Sequence, residues 1–374
     1  MSGKQLFSIV AASTLLAACG NGDEQGVDCE LRLGLVTDQG QIDDGSFNTS
    51  AWTGVQNAAG ALGLDTEACT NYRETILPEG QQEPTEADWA PNVQDILDWG
   101  ADIVVMNGFN LVDYTQKVAA ENPDVKFIGV DQQPDNVEDN AVGLVFNEDR
   151  AGFLAGALAA HWAIENDDNR IGPVGGVYAS PFPIIVQFAT GFYLGVRQVQ
   201  EQENIQQDID VLTEFYDSDN NEPFGDPECG RSPAEAMINN HDPEVIFHAA
   251  GGTGVGALRA GCEAGIEVIG VDVDQYVTIP DVQDCILSSA TKNIVNGVSD
   301  LLQAASEGEF PGGTLYSGAV GLAPFHNFDE DIPQNVKDSL QDIDAKLKAG
   351  DLESCTSEGI DDPELKDLSN DVCQ

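Results

Sequence analysis

The residues best suited to chemistry follow directly on short apolar runs. Thr37-Asp38 leads into Gln39-Gly40-Gln41-Ile42-Asp43-Asp44-Gly45-Ser46-Phe47-Asn48, which crowds carboxylates, an aromatic ring and a carboxamide into one stretch. Asn48 offers both a donor and an acceptor, which suits the edge of a heterocycle. Phe47 suits a stacking face or, equally, a hydrophobic staple at a helix start capped by Ser46. Asn107-Gly108-Phe109 and Asp131 close two later runs, and Phe182 follows another within Tyr178-Ala179-Ser180-Pro181-Phe182-Pro183. Gly252 sits in Ala249-Ala250-Gly251-Gly252-Thr253-Gly254-Val255-Gly256, where missing side chains let backbone amides approach a ligand. Asp272, in Gly270-Val271-Asp272-Val273-Asp274-Gln275, can accept both hydroxyl hydrogens of a vicinal diol. Lys292 is one of only 15 basic residues against 65 acidic ones, so it is expected to neutralise a buried carboxylate or hold a ligand.

Other chemistries fit poorly. The glycine run around Gly252 lacks the Gly-Lys-Ser/Thr ending of a phosphate loop and an acidic partner for a dinucleotide site, so no nucleotide cofactor is expected. His161, His241, His248 and His326 are scattered without ligand spacing, which argues against zinc. No Gly-x-Ser-x-Gly elbow is present. Asp38, Asp43 and Asp44 superficially supply a metal-binding acid cluster, which keeps an exported hydrolase as a remote rival to a binding protein.

These residues need a scaffold that brings strand ends together. Apolar runs at 31–36, 103–106, 126–130 and 141–146 alternate with helical stretches, and a second series follows at 171–177, 210–216, 245–249, 267–271 and 286–289. Runs apolar on both faces imply parallel sheets covered on each side. Two three-layer α/β lobes are predicted, residues 29–148 plus 288–312 and residues 149–287 plus 313–350, joined by a multi-strand hinge and followed by a tail at 351–374. Ligands of such sheets lie beyond the carboxyl ends of the strands. The cleft between two hinged lobes is therefore the expected site.

At the start of the chain, Leu16-Ala17-Ala18-Cys19 ends a short apolar run behind Lys4. That run is shorter than the roughly 20 residues needed to span a bilayer. It reads as a lipoprotein signal over residues 1–18, with lipidation at Cys19 and a polar tether at 19–28. This places the protein on the outer face of a membrane, whether periplasmic or extracellular. The formal charge of −50 excludes nucleic acid as a partner and reads as a solvated acidic surface. Salt screens such self-repulsion, so stability is expected to rise with ionic strength.

An exported chain with eight cysteines is expected to form disulfides. With Cys19 lipidated, seven remain. Cys29 precedes the first strand (31–38) and Cys69 lies early in the second (about 65–73), which brings them together at one sheet edge if the strands are parallel neighbours. Cys262 ends a helix and Cys285 opens a strand at one end of the second lobe, and Cys355 and Cys373 share the polar tail. Cys229 is left as the odd thiol.

Val36-Thr37-Asp38 with Asp44-Gly45-Ser46-Phe47-Asn48, Phe153-Leu154-Ala155-Gly156, Phe188 with Gly191-Phe192, Ala250-Gly251-Gly252-Thr253-Gly254 and Gly270-Val271-Asp272-Val273-Asp274-Gln275 together resemble the basic membrane lipoprotein family, similar to purine nucleoside receptor lipoproteins that feed ABC importers. The resemblance spans about residues 31–325. It implies a type I periplasmic-binding-protein fold, a monomer without cofactor or metal that delivers a nucleoside to a permease. In that pattern Phe47 stacks on the base, Asn48 and Asp131 read its edge, Asp38 assists, and Asp272 and Lys292 hold the ribose. Phe182 is the opposing face, in a loop that departs from the pattern. Residues 73–89 and the tail beyond residue 350 look like additions. A sugar-like solute in the same fold, or a sensor signalling to a membrane receptor, are the competing readings.

Overall fold

The computed structural model describes residues 28–78, 81, 83–165, 171–216 and 223–373. The signal segment, Cys19 and all of the tether except Asp28 lie outside the described residues. Five parallel strands come first: β1 (Leu33–Thr37), β2 (Thr70–Arg73), β3 (Ile103–Asn107), β4 (Lys126–Val130) and β5 (Ala141–Val145). A second series follows: β6 (Val174–Tyr178), β7 (Val211–Phe215), β8 (Val245–Ala249), β9 (Glu267–Asp272) and β10 (Ile286–Lys292). Two short strands, β11 (Thr314–Ser317) and β12 (Val320–Leu322), complete the set.

They form two sheets in the orders β11-β5-β4-β3-β1-β2 and β12-β10-β9-β8-β6-β7. Every pairing between these strands is parallel except β12 against β10. β1 and β3 are buried along their whole length because both faces are covered. On the first sheet, helices Phe47–Ala61 and Ile294–Ser306 pack one face and Glu86–Asp98 and Val112–Glu121 the other. On the second, Glu148–Glu165, Pro183–Gln202 and Gln334–Ala349 oppose Pro227–His241 and Gly251–Ala264. The fold is the type I periplasmic-binding-protein architecture of two three-layer α/β lobes.

Glycines set a close helix contact in the second lobe. An added Cβ at Gly152 or Gly156 would lie 2.2 or 2.0 Å from the carbonyl oxygens of Phe188 or Phe192. One at Gly191 or Gly195 would lie 1.9 or 2.0 Å from those of Asp149 or Phe153. Helices Glu148–Glu165 and Pro183–Gln202 thus touch backbone to backbone, which fixes the start of the first of them at the hinge.

The chain crosses between lobes three times. The seams lie a few residues from those expected. β10 stays in the second sheet through Lys292, because its ladder with β9 continues to Thr291 opposite Asp272. β11 joins the first sheet, where it covers the edge that β5 would otherwise leave unpaired. The actual crossings fall at Asn147, Asn293 and Gly318-Ala319. They are knit together by Asn293 N–H donating to the Ala319 carbonyl at 2.9 Å and Gly318 N–H to that of Val145 at 2.8 Å.

Disulfides join Cys29 to Cys69, Cys262 to Cys285 and Cys355 to Cys373. Cys229 stands outside them, its thiol donating to Asp226 at 3.1 Å. The tail folds into helix Pro363–Val372 against Pro183–Gln202, with Leu365 and Ile360 in the second lobe's core and Thr190 and Ser369 hydroxyls 2.7 Å apart.

Candidate functional site

A cavity lies between the lobes at the carboxyl ends of both sheets. The first lobe contributes Asp38, Gln39, Asp44, Phe47, Asn48, Phe109 and Asp131. The second contributes Ile184, Phe188, Phe224, Ala249, Ala250, Gly251, Asp272 and Lys292. Space free of protein atoms amounts to about 570 Å³, part of it solvent at the mouth. Six of the eight expected residues line it. Phe182 and Gly252 do not.

Phe182 precedes helix Pro183–Gln202 and stacks on Phe224 at 5.9 Å, with Phe109 at 5.1 Å. It is therefore spent supporting the two rings that do reach the cavity. Gly252 lies one residue too far along helix Gly251–Ala264 and faces the adjoining outer part of the cleft with Gly40, Asp43 and Arg259. Phe224 and Gln39 were missed from sequence. Phe224 follows no apolar run, and Gln39 is an ordinary polar residue in a loop full of them.

The loop before helix Phe47–Ala61 is held by Asp44, not Ser46. Asp44 accepts the backbone N–H groups of Ser46, Asn48 and Thr49 at 2.8, 2.9 and 3.0 Å. Burial raises its carboxyl above the usual range, and those donors oppose the shift. Ser46 makes no cap bond. Its hydroxyl instead donates across the cleft to Asp272 at 2.9 Å. Asn48 is anchored within the lobe, donating to the Gln39 carbonyl at 3.0 Å and accepting from Asn107 at 2.7 Å. One amide hydrogen and one lone pair remain for anything in the cavity.

Asp131 and Asp272 occupy corresponding places in the two lobes, at the ends of β4 and β9, each with positive φ of 59° and 64°. That backbone is uncommon outside glycine and tolerated by Asp, and it aims each carboxylate off its strand. Lys292, 3% exposed at the end of β10, ion-pairs with Asp131 of the first lobe and stands 2.9 Å from Glu148. Rings of Phe47, Phe146 and Phe188 surround its ammonium at 5.4, 5.1 and 6.0 Å. Burial alone would lower its pKa, yet Asp131, Glu148 and Asp272 hold it above the ordinary lysine value. Glu148, which the sequence reading did not single out, is thus a buried counter-charge.

The carboxylates answer the same forces. Burial raises Asp38 to about 7, against hydrogen bonds from Asn110 and Gln39. It raises Glu148 to about 7 and Asp272 to about 6, both against the attraction of Lys292. Asp131 is also raised by burial, with Lys292 opposing. Two oxygens at this wall have no protein donor, Oδ1 of Asp131 and Oε1 of Gln39. Buried acceptors of this kind suit a ligand that donates hydrogen bonds. Among the described residues, no group of three or more His, Cys, Asp or Glu could hold a metal ion, and no helix is long and apolar enough to cross a membrane.

Residues 32–347 match the family model described as ABC transporter substrate-binding protein PnrA-like. The chain is 31% identical over 371 residues to the CD4+ T-cell-stimulating antigen of Listeria monocytogenes, covering 93% of this chain and 96% of that one. It is 29% identical over 362 residues to the ABC transporter nucleoside-binding protein BmpA of Lactococcus lactis subsp. cremoris, covering 90% and 95%. In fold it is similar to an ABC transporter solute-binding protein from Aeropyrum pernix, with a TM-score of 0.74, 22% identity, and 92% and 99% covered. With a cleft cavity between two hinged lobes and a family match across both of them, the chain belongs to the Bmp family of PnrA-like ABC transporter substrate-binding proteins.

Proposed function

We propose that the protein captures a nucleoside, of the purine class, by closing its lobes around it and presents the closed form to an ABC permease. The observation that carries this reading is the meeting of Phe47, from one lobe, and Asp272, from the other, on a single cavity that also holds the rings of Phe109, Phe188 and Phe224 and the carboxylates of Asp38, Asp44 and Asp131. Phe47 takes one face of the base, and Phe188 and Phe224 supply the apolar side opposite. Stacking contributes about 1–3 kcal/mol per base. Asp272 takes the ribose hydroxyls, while Lys292 holds Asp131 so that Oδ1 accepts from the base edge. A ligand touching both lobes favours the closed form because only differential affinity shifts such an equilibrium. The relative named for nucleoside binding supports the ligand class.

Binding rather than catalysis is the better reading of the first loop. Asp44 is engaged by three backbone donors and Asp38 by Gln39 and Asn110, so two of the three acids that would suit a nucleoside hydrolase are engaged by the protein's own donors. Outside the described residues, Cys19 is proposed as the acylated anchor that places the lobes on the extracytoplasmic face.

Titration calorimetry of the mature chain with inosine, adenosine, adenine, ribose and glucose tests the ligand class. Heat with the nucleosides and none with the sugars is expected, and binding of a sugar alone would overturn it. Cys19→Ala should release the protein from the membrane fraction; unchanged membrane retention would remove the anchor.

A further inference from the structure

One cross-lobe contact lies outside the cavity yet shares its loop. Gly45, between Asp44 and Ser46, has φ of +66°, and an added Cβ there would lie 2.3 Å from Cδ1 of Ile279 in the other lobe. Its carbonyl accepts from the Thr278 hydroxyl at 2.7 Å and from Gln275 Nε2 at 3.4 Å. Both donors belong to the one-turn helix Gln275–Thr278 that follows β9. Gln275 is fully buried and firmly seated. Its Oε1 accepts from Val271 N–H at 2.9 Å and lies 2.9 Å from His248 Nε2, and its own N–H donates to Ser289 at 3.1 Å. The helix is therefore tied to β8, β9 and β10 and offers its donors to the first lobe from a rigid base. Its outward residue Val277 is 62% exposed.

We infer that Thr278, seconded by Gln275, is a positioning residue for capture: by bonding Gly45 it latches the first-lobe loop against the second lobe and sets how long a ligand is retained. The same loop carries Ser46, bonded to Asp272, and Asp44, at the cavity wall. Neither Thr278 nor Gln275 lines the cavity. A contact that spans the two lobes favours the closed state with or without ligand, so its loss acts on escape rather than on encounter. The inference rests on capture by closure and not on which solute is captured.

Thr278→Val keeps the shape and removes the donor, and Thr278→Ser restores it. With inosine as probe, stopped-flow fluorescence should show dissociation from Thr278→Val about fivefold faster, the worth of one net hydrogen bond, with association little changed. Thr278→Ser should return to the wild-type rate, and Val277→Ser should match wild type throughout. Small-angle scattering of the ligand-free mature chains should give a larger radius of gyration for Thr278→Val. The latch is overturned if Thr278→Val releases inosine at the wild-type rate, or if Thr278→Ser is as fast as Thr278→Val. Should inosine fail to bind the wild type, the nucleoside reading falls, and the scattering comparison alone decides the latch: equal radii refute it.

Discussion

Lys292 of the second lobe is ion-paired with Asp131 of the first, and the same ammonium stands 2.9 Å from Glu148 at the hinge. All three side chains are almost fully buried. Removing one partner of such a set leaves uncompensated buried charge, which costs about 3–5 kcal/mol. Lys292→Met should therefore lower the urea midpoint by that equivalent. Adding Glu148→Gln should recover part of the loss, since one of the two stranded carboxylates is then gone. A single variant as stable as wild type would contradict the arrangement.

The pH dependence of stability has a defined sign at Asp38. Burial holds its carboxyl at about 7 in the folded chain, against about 4 when unfolded. The folded form keeps the proton between those values, so the stability contributed is complete below pH 4 and is lost as pH rises through about 7. Glu148 and Asp272 act in the same direction, up to about 7 and about 6. His161 and His248, held down at about 4 by burial, act in the opposite one. The difference between wild type and Asp38→Asn isolates the carboxyl. It should move against wild type by on the order of 1 kcal/mol per pH unit across pH 4–7. Parallel stability curves for the two proteins would count against it.

Phe47→Ala should weaken nucleoside binding roughly 5- to 150-fold, the range set by 1–3 kcal/mol of stacking. Asp272→Ala should weaken it as well, through the ribose and through the lost bond to Ser46. Both variants should remain folded, with near-wild-type circular dichroism. Unchanged calorimetric affinity in both would remove these residues from the site.

A formal charge of −50 makes the folded chain self-repelling. Melting temperature should climb by several degrees between dilute buffer and molar sodium chloride as the Debye length contracts from about 30 to about 3 Å. A flat profile would contradict self-repulsion of the acidic surface as a determinant of stability.

The fold was legible because it depends on pattern. Strands such as 103–107 and 126–130 are apolar on both faces, and only a doubly covered parallel sheet satisfies them. Asp131 and Asp272 were likewise readable, because a polar residue ending such a strand must lie on the ligand edge. What stayed hidden depends on which side chain wins a local competition. Asp44 and Ser46 are both good caps, and only the folded loop shows Asp44 taking the backbone donors while Ser46 turns to Asp272. Phe182 and Phe224 are equally aromatic, and their order of approach follows from tertiary packing alone. The hinge seams were misplaced for a related reason: short edge strands such as β11 carry little apolar signal and are assigned by their partner.

The most direct measurement is a crystal structure of the mature chain grown with a purine nucleoside. Density for a planar base against Phe47, with its ribose at Asp272, is the expected result. Density for the nucleoside outside the interlobe cavity, or a cavity occupied by a solute without a flat ring, would contradict it.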